Sequence, residues 1–317
     1  MLEFHELIKS INAYLWGPPM LVLLFGTHLY LTLRLRLIQR HTFTGIRLSF
    51  AHDSDGHGDV SHLGALATAL AATIGTGNIV GVATAVALGG PGAVLWCWLT
   101  GVFGISTKYA EAVLAVKYRV KTSDGTMLGG PMYALERGLN ARWLALLFCL
   151  FTAVAAFGIG NTVQANSIAV MMQETFSVSP WITGTVLSLL VGVVILGGIK
   201  SIARVCEKLV PFMAFFYIAG CVLILFINIT VIPETVTLIF KSALTPQAAG
   251  GGFAGATVMM AARYGIARGL FSNESGLGSA PIVAAAAQTR NPVKQALVSS
   301  TGTFWDTVVV CALTGLV

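Results

Sequence analysis

Long apolar stretches alternate with short polar connections along nearly the whole chain. A helix needs about 20 mostly apolar residues to cross a membrane. Eight stretches of the sequence meet that requirement. We therefore predict eight membrane-spanning segments, at residues 14–36, 63–90, 93–117, 143–173, 181–199, 208–229, 250–288 and 295–317.

Glycine and polar residues interrupt two of these segments. Segment 63–90 contains AATIGTGNIVG at residues 71–81, and segment 250–288 contains Gly265, Gly269 and then SNESGLGSAP at residues 272–281. Lipid cannot hydrogen bond to peptide groups, so non-helical backbone at membrane depth is tolerated only where it faces protein or a water-filled cavity. Interrupted helices are also the best sequence indication of a transporter's binding site. The pattern predicts two broken helices that expose N–H and C=O groups to a ligand.

Basic residues are concentrated in alternate connections. The connections after the first, third, fifth and seventh segments hold fourteen Lys and Arg residues, and the other side holds only Lys9 and Lys241. The fourteen are Arg34, Arg36, Arg40, Arg47, Lys117, Arg119, Lys121, Arg137, Arg142, Lys200, Arg204, Lys208, Arg290 and Lys294. Because basic loops stay in the cytoplasm, we predict an extracytoplasmic N-terminus. The two broken segments then run in opposite directions, as inverted repeats require.

The composition agrees with this pattern. The chain has 317 residues, of which 56% are hydrophobic and 10% charged, and its mean hydropathy is +0.80. A soluble domain carries about 25% charged residues, so we predict an all-α polytopic membrane protein surrounded by lipid. Its net charge of +6 then reflects topology, and we expect no nucleic-acid partner.

Metal and disulfide chemistry find little support in the sequence. Five scattered cysteines without CxxC spacing argue against a disulfide framework or a zinc site. A cluster of His and Asp side chains has no fixed ligand spacing, and we interpret it as a solvated loop. Its members are His52, Asp53, Asp55, His57, Asp59 and His62.

The first break offers ligands for an anion and for a cation. Exposed N–H groups at the start of the following half-helix attract a carboxylate, while free carbonyls, hydroxyls and an amide oxygen are hard ligands of the kind that Na⁺ takes. An alternative is a GxxxG-like packing face formed by Gly77 and Gly81. The candidate residues are Thr73, Gly75, Thr76, Gly77 and Asn78.

The second break carries a charged residue that needs a partner. Glu274, next to Ser272 and Asn273, is costly near membrane depth unless it is paired, and Arg268 is the candidate partner. This pair would form a gate or an ion-coupling network, or alternatively a salt bridge that only locks helices together. In the same segment, Tyr264 and Gly265 could line the pocket.

Polar residues inside three other segments are further candidates. In segment 143–173, Gln164 shares a face with Phe157 and Asn161, facing either a pocket or another helix. Thr303 and Asp306 are three residues apart and are predicted to share a face, either at an ion or proton site or near the interface. The pair formed by Lys108 and Glu111 has the same spacing, which favours a structural ion pair.

Several blocks resemble the alanine or glycine:cation symporter family, the sodium:alanine symporters, of the amino acid–polyamine–organocation superfamily. They include the polar loop GGPMYALERGL as well as the two broken segments, and the resemblance runs from about residue 16 to residue 317. The blocks are AATIGTGNIVGVATAVALGGPGA, TKYAEAVLAVKYR, GGPMYALERGL, GGIKSIA, RGLFSNESGLGSAP and TGTFWDTVVVC.

The resemblance implies a leucine-transporter-like fold of two inverted five-helix repeats with an extra N-terminal helix. We would assign residues 14–36 to the extra helix, 63–229 to the first repeat and 250–317 to two helices of the second. Family members continue through three more helices, so the resemblance implies a C-terminally incomplete transporter domain.

The resemblance also implies a function: uptake of small neutral amino acids, mainly alanine and glycine, with Na⁺ and sometimes H⁺, by alternating access. The stretch Gly75–Asn78, Gln164 and the region of Tyr264 would line the substrate pocket, and Thr303 and Asp306 would contribute to the ion site. The expected location is the bacterial inner membrane. No cofactor and no catalytic residue are expected, and the oligomeric state stays open. Alternatives are an uncoupled facilitator, an inactive fragment, and an intramembrane enzyme that uses Glu274 or Asp306 as a base.

Overall fold

The computed structural model describes residues 2–51, 58–245 and 258–317. In these ranges the regular secondary structure is helical apart from one short hairpin and one isolated β-bridge. The helices are α1 (Leu2–Leu15), α2 (Pro18–Arg34), α3 (Thr42–Ser49), α4 (His62–Thr73), α5 (Gly77–Gly89), α6 (Ala93–Lys117), α7 (Pro131–Gly138), α8 (Arg142–Phe176), α9 (Pro180–Leu196), α10 (Gly198–Ile227), α11 (Ile232–Leu244), α12 (Val258–Asn273), α13 (Ala280–Ala285) and α14 (Pro292–Leu316). A 3₁₀ turn covers Ile38–His41, and β1 (Val120–Lys121) pairs antiparallel with β2 (Met127–Leu128).

Among the described residues, three helices are long and apolar enough to cross a membrane, namely α8, α10 and α14. Two bent pairs, α2 with residues 38–49 and α4 with α5, raise that number to five if each counts as one span. The all-helical, apolar character therefore agrees with the sequence, whereas the predicted total of eight spans is not reproduced.

Helix α6 lies at the centre of the bundle and packs against α2, α12 and α14. Glycine permits the close approach of α12. A Cβ atom on Gly265 would lie 2.3 Å from the Ala93 carbonyl oxygen, and one on Gly269 would lie 2.7 Å from Thr100 Cβ. Small residues at helix interfaces allow backbones to approach in this way. The prediction that these two glycines interrupt the segment is therefore wrong, since α12 runs through both.

The first predicted break is present as a bend between two helices, and the second corresponds to a loop. Helix α4 ends at Thr73, and α5 begins at Gly77 after a bend of 50°. The second break is the loop between α12 and α13, where Glu274, Gly276 and Gly278 have φ values of +54°, +90° and +81°. Of the predicted second broken segment, residues 250–257 lie outside the described ranges.

The helix boundaries after α8 differ from the sequence prediction. Only Gly197 separates α9 from α10, because Gly198 makes the turn with φ +67°. Lys200, Arg204 and Lys208, predicted in a connecting loop, therefore lie in the first turns of α10. Helix α11, amphipathic and only 13 residues long, was not predicted.

A main-chain latch joins the start of α4 to the end of α13. Val60 and Ala287 form a parallel bridge, and Asp59 receives a 2.8 Å hydrogen bond from the Met127 N–H. Arg119 donates to three carbonyls, those of Ala285, Ala287 and Thr289. Burial lowers the pKa of Arg119, and nearby Asp59 acts in the opposite sense.

The prediction that residues 52–62 form a solvated loop is wrong for two of its members. Asp59 belongs to the latch, and His62 is buried with its Nδ1 2.5 Å from Gln295 Oε1. Residues 52–57, which carry the other His and Asp side chains of that cluster, lie outside the described ranges.

Candidate functional site

A buried polar cluster joins the first break to α12 and α14. Asn78 and Asp306 are fully buried, and Asn78 Nδ2 lies 2.7 Å from Asp306 Oδ1 and 3.0 Å from Ser272 Oγ. Ser272 and Thr307 in turn donate hydroxyl hydrogen bonds to Asp306 Oδ2, at 2.9 and 2.6 Å. Three helical segments therefore converge on one carboxylate.

Asn78 also closes the first break. Its Oδ1 accepts the Gly75 N–H at 2.8 Å, which fixes the orientation of the amide and directs Nδ2 toward Asp306. The NH₂ group has two hydrogens but four acceptors within reach, because the Asp306 carbonyl oxygen and Cys311 Sγ lie at 3.1 and 3.3 Å. The cluster therefore has more acceptors than donors, an arrangement that suits a cation.

Asp306 has no ion-pair partner in the part of the chain that the structure describes. Its hydrogen-bond donors are all neutral side chains. A buried carboxylate without a cation is costly, and an ionisable group at membrane depth indicates a functional site by default. Because neutral side chains alone donate to it among the described residues, the Asp306 carboxylate is the candidate position for a cation.

Thr303 does not share this cluster. Its hydroxyl lies 3.2 Å from Ser275 Oγ, whereas Asp306 points to Asn78. The reason is a π-helical stretch at Phe304–Cys311 within α14. A π turn closes over five residues instead of four, so side chains three apart diverge more than in an α-helix. Both side chains nevertheless contact the second break, Asp306 through Ser272 and Thr303 through Ser275, so a role of Thr303 at the ion site stays a prediction.

A cavity of about 570 Å³ opens beside the cluster, within the range of small-molecule sites. It is lined by both breaks and by α8. Thr76 Oγ1 donates to Gln164 Oε1 at 2.5 Å, which joins the first break to the π-helical region of α8. Thr73 lines the cavity too, but its hydroxyl lies 3.5 Å from the Leu70 carbonyl of its own helix. The cavity wall includes Thr73, Gly75, Gly77, Gln164, Ser272 and Glu274.

Tyr264 and Gly265 occupy different positions from those predicted. Tyr264 lines a second cavity of about 420 Å³, which shares Trp16, Ile159 and Phe271 with the first. Gly265 is buried at the contact with α6 instead of facing a cavity. Of this pair, only Tyr264 is exposed to a ligand-sized space.

The charged residues of the second break are paired differently from the prediction. In the described ranges no ion pair joins Arg268 to Glu274. Glu274 instead accepts a hydrogen bond from the Ser279 hydroxyl, and the Arg268 guanidinium lies 5.8 Å from the Phe271 ring centre. Among the ion pairs of the described residues, none joins Lys108 to Glu111 either. Lys108 Nζ donates to the Asn273 carbonyl at 2.7 Å, and Glu111 Oε1 accepts the Gly278 N–H at 3.1 Å.

Sequence reasoning missed Thr307 as a member of the site and Ser275 as the loop residue that contacts Thr303 and Asn273. Asn273 Nδ2 lies 3.2 Å from Thr307 Oγ1, so Thr307 bridges the second break and Asp306. Its place directly after Asp306 was a usable signal, because the hydroxyl next to a buried carboxylate is a natural donor. Ser275 had no such signal, since its position depends on the positive φ of Glu274.

The family model described as the sodium:alanine symporter family matches residues 1–317. The chain belongs to the sodium:alanine symporter family. It is a membrane transporter and not an enzyme, and its family is sodium-coupled.

Individual relatives agree with the family assignment. A sodium/alanine symporter, AgcS, of Methanococcus maripaludis is 54% identical over 323 residues, which cover 100% of this chain and 70% of the relative. An uncharacterized transporter of Haemophilus influenzae is 55% identical over 318 residues, with the same coverage of 100% and 70%. A putative sodium/proton-dependent alanine carrier protein, YrbD, of Bacillus subtilis is 42% identical over 310 residues, covering 98% of this chain and 63% of the relative.

Proposed function

We propose that this transporter couples Na⁺ entry to the uptake of alanine or glycine. The observation that carries the proposal is Asp306, a buried carboxylate with neutral hydrogen-bond donors and no ion-pair partner in the described ranges, next to a cavity lined by both helix breaks. The names of two relatives, which mention sodium and alanine, support the choice of ion and substrate.

In this proposal the ion and the substrate occupy neighbouring positions. Na⁺ binds to oxygen atoms of Asp306 and Ser272. Asn78 orients the Asp306 carboxylate through its NH₂ group, because its amide oxygen is occupied by the Gly75 N–H. The substrate binds in the cavity against Gly75–Gly77 and Gln164. Because α5 begins at Gly77, this end of the helix carries partial positive charge that suits a carboxylate, although the Asn78 N–H already donates to the Gly75 carbonyl at 3.1 Å. Thr73 and Tyr264 contribute to the two cavity walls, and Thr303 acts only by packing through Ser275.

Each ligand raises the affinity of the other by the same factor, because coupling is reciprocal. Na⁺ neutralises Asp306, and a bound amino acid fills the space between the breaks, so joint binding favours an occluded state. We further propose that Arg268, Ser272, Asn273 and Glu274 move with the second break when the site opens to the other side.

The wider architecture belongs to the same proposal. We assign residues 14–36 to an extra N-terminal helix, 63–229 to the first inverted repeat and 250–317 to the second, in a leucine-transporter-like fold. The N-terminus is extracytoplasmic and the protein resides in a bacterial inner membrane. Arg119 and Lys121, in the connection after α6, support this orientation, since positively charged segments stay inside.

The test is uptake of labelled L-alanine into proteoliposomes that contain the protein, with an inward Na⁺ gradient or with equal Na⁺ on both sides. We expect accumulation above equilibrium only with the gradient, and its loss in Asp306→Asn. Asp124→Asn is the matched control, because Asp124 is an exposed carboxylate in the β1–β2 turn. Equilibration without accumulation would indicate a facilitator, and accumulation driven by a pH gradient alone would identify H⁺ as the coupling ion.

A further inference from the structure

We propose that Lys108 of α6 is a positioning residue for the sodium site, which it reaches through Asn273 and Thr307. The inference rests on the proposed Na⁺ site at Asp306. It assigns a role to the buried Lys108 ammonium group, which contacts neither the substrate cavity nor Asp306 directly.

Lys108 is almost completely buried, with 3% of its surface exposed. A buried ammonium is costly unless it is hydrogen bonded. Its described hydrogen bond goes to a main-chain carbonyl, that of Asn273, at 2.7 Å. Asn273 is the last residue of α12, where the carbonyl end of the helix carries partial negative charge. A cation suits this position, and the residue it holds is the one at which the second break starts.

From Asn273 the contacts continue without a gap to the carboxylate. Asn273 Nδ2 donates to Thr307 Oγ1 at 3.2 Å, and the Thr307 hydroxyl donates to Asp306 Oδ2 at 2.6 Å. The direction is consistent, since one hydroxyl accepts one hydrogen bond and donates another. Asn273 is 1% exposed and Thr307 fully buried, so water does not compete for these bonds.

The other side of the Asn273 amide fixes the loop. Its Oδ1 accepts the Ser275 N–H at 2.9 Å, so the orientation of the amide depends on the loop conformation. Glu111, three residues after Lys108 on α6, accepts the Gly278 N–H at the far end of the same loop. Helix α6 therefore holds the second break at both ends, and Lys108 holds the end that connects to Asp306.

Lys108 has two opposite effects on Na⁺ affinity, one through its charge and one through its hydrogen bond. Lys108 acts on Asp306 electrostatically without touching it, and as a like charge it opposes Na⁺ binding. Its hydrogen bond to Asn273, in contrast, supports the ligand geometry of Asp306. We infer that the positioning effect dominates. Outer-shell partners of metal ligands typically change metal affinity by about 10–100-fold.

The experiment measures Na⁺ affinity in the full-length protein in two ways: the Na⁺ concentration that half-saturates L-alanine uptake, and thermal stabilisation in detergent by NaCl against KCl, which requires no transport. We expect Lys108→Met to raise both half-saturating Na⁺ concentrations about tenfold, and Lys108→Arg, which keeps the charge and the donor, to stay within about threefold. Lys117→Met is the matched control, since Lys117 is an exposed lysine on the same helix.

A double-mutant cycle separates the relay from general packing. Thr307→Val removes the connecting hydroxyl at constant shape, and in a working relay its effect and that of Lys108→Met are not additive. Additive effects, an unchanged half-saturating Na⁺ concentration in Lys108→Met, or tighter Na⁺ binding would each overturn the proposal. If Na⁺ stabilises the wild type but does not drive uptake, the proposed transport function is refuted. The role of Lys108 can then still be tested by thermal stabilisation. Absence of any Na⁺ effect on the wild type would overturn both.

Discussion

The two helix breaks differ in what holds them. The first is short and is closed from within, because Asn78 returns to the Gly75 N–H. The second is longer, uses three residues with positive φ, and is held from outside by Lys108 and Glu111 of α6. The first break therefore leaves its main chain next to a cavity, while much of the second is committed to a neighbouring helix. We infer that the first break mainly binds the substrate, and that the second mainly connects α6 to the ion site.

The largest expected effect comes from Asn78→Ala. The substitution removes the internal closure of the first break and a donor to the buried Asp306 carboxylate. Hydrogen bonds to charged groups contribute about 1.5–3 kcal/mol each, so uptake at low Na⁺ should fall by about 100-fold. Asn161→Ala is the control, because Asn161 is an exposed amide whose side chain, among the described residues, donates to the Ala156 carbonyl of its own helix. Retention of a normal Na⁺ response in Asn78→Ala would contradict the ion-site proposal.

A matched pair of glycine substitutions separates the roles of the two breaks. Gly276 has φ +90°, and a Cβ there would lie 3.0 Å from Leu24 Cδ2. Gly276→Ala should therefore cost about 1–3 kcal/mol of stability, visible as a lower thermal unfolding midpoint.

In the first break, a Cβ on Gly75 would lie 3.5 Å from Gln164 Oε1, an ordinary contact. Gly75→Ala should unfold at the wild-type temperature but bind alanine more weakly, because the methyl group enters the cavity. If both variants lose stability equally, the distinction between the breaks does not hold.

Gln164→Ala tests the link between the first break and α8. Loss of the Thr76–Gln164 hydrogen bond, worth about 1–1.5 kcal/mol, should raise the half-saturating alanine concentration by about tenfold. Thermal stabilisation by Na⁺ should not change, because Gln164 is outside the Asp306 cluster. A reduced Na⁺ response with normal alanine affinity would move Gln164 from the substrate pocket to the ion site.

The smallest effect is expected for Glu274→Gln. In the described ranges, Glu274 accepts a hydrogen bond from the Ser279 hydroxyl. A glutamine side-chain oxygen can accept the same hydrogen bond, so uptake should change by less than about threefold. An essential charge pair with Arg268 predicts a loss of at least tenfold in each single variant. Comparison of Glu274→Gln with Arg268→Gln in the same uptake assay distinguishes these outcomes.

The features that could be predicted from the sequence depend on the length of an apolar segment or on a polar residue within it. The break at residues 74–76 and the burial of Asp306 follow from the cost of polar groups in lipid, and both are present. Helix α8 also matches its predicted segment closely. These features depend on composition within one segment.

The remainder depends on contacts between segments. Gly265 was expected to interrupt its segment or to line the pocket, and only the close approach of Ala93 shows that it permits helix contact instead. Likewise, the spacing of Lys108 and Glu111 suggested a pair, but the loop after α12 supplies better partners for both. The separation of Thr303 from Asp306 required the π winding of α14, which apolar periodicity does not reveal.

That winding has a consequence for how the gene can vary. Each residue of an α-helix turns the chain by about 100°, and the wider turn at Phe304–Cys311 accommodates one extra residue without breaking the helix. Deletion of a single codon there would leave a continuous, apolar helix of nearly the same length. The carboxylate of Asp306, however, would then turn away from Asn78, so positions of this stretch other than Asp306 and Thr307 should tolerate changes of side chain far better than changes of length.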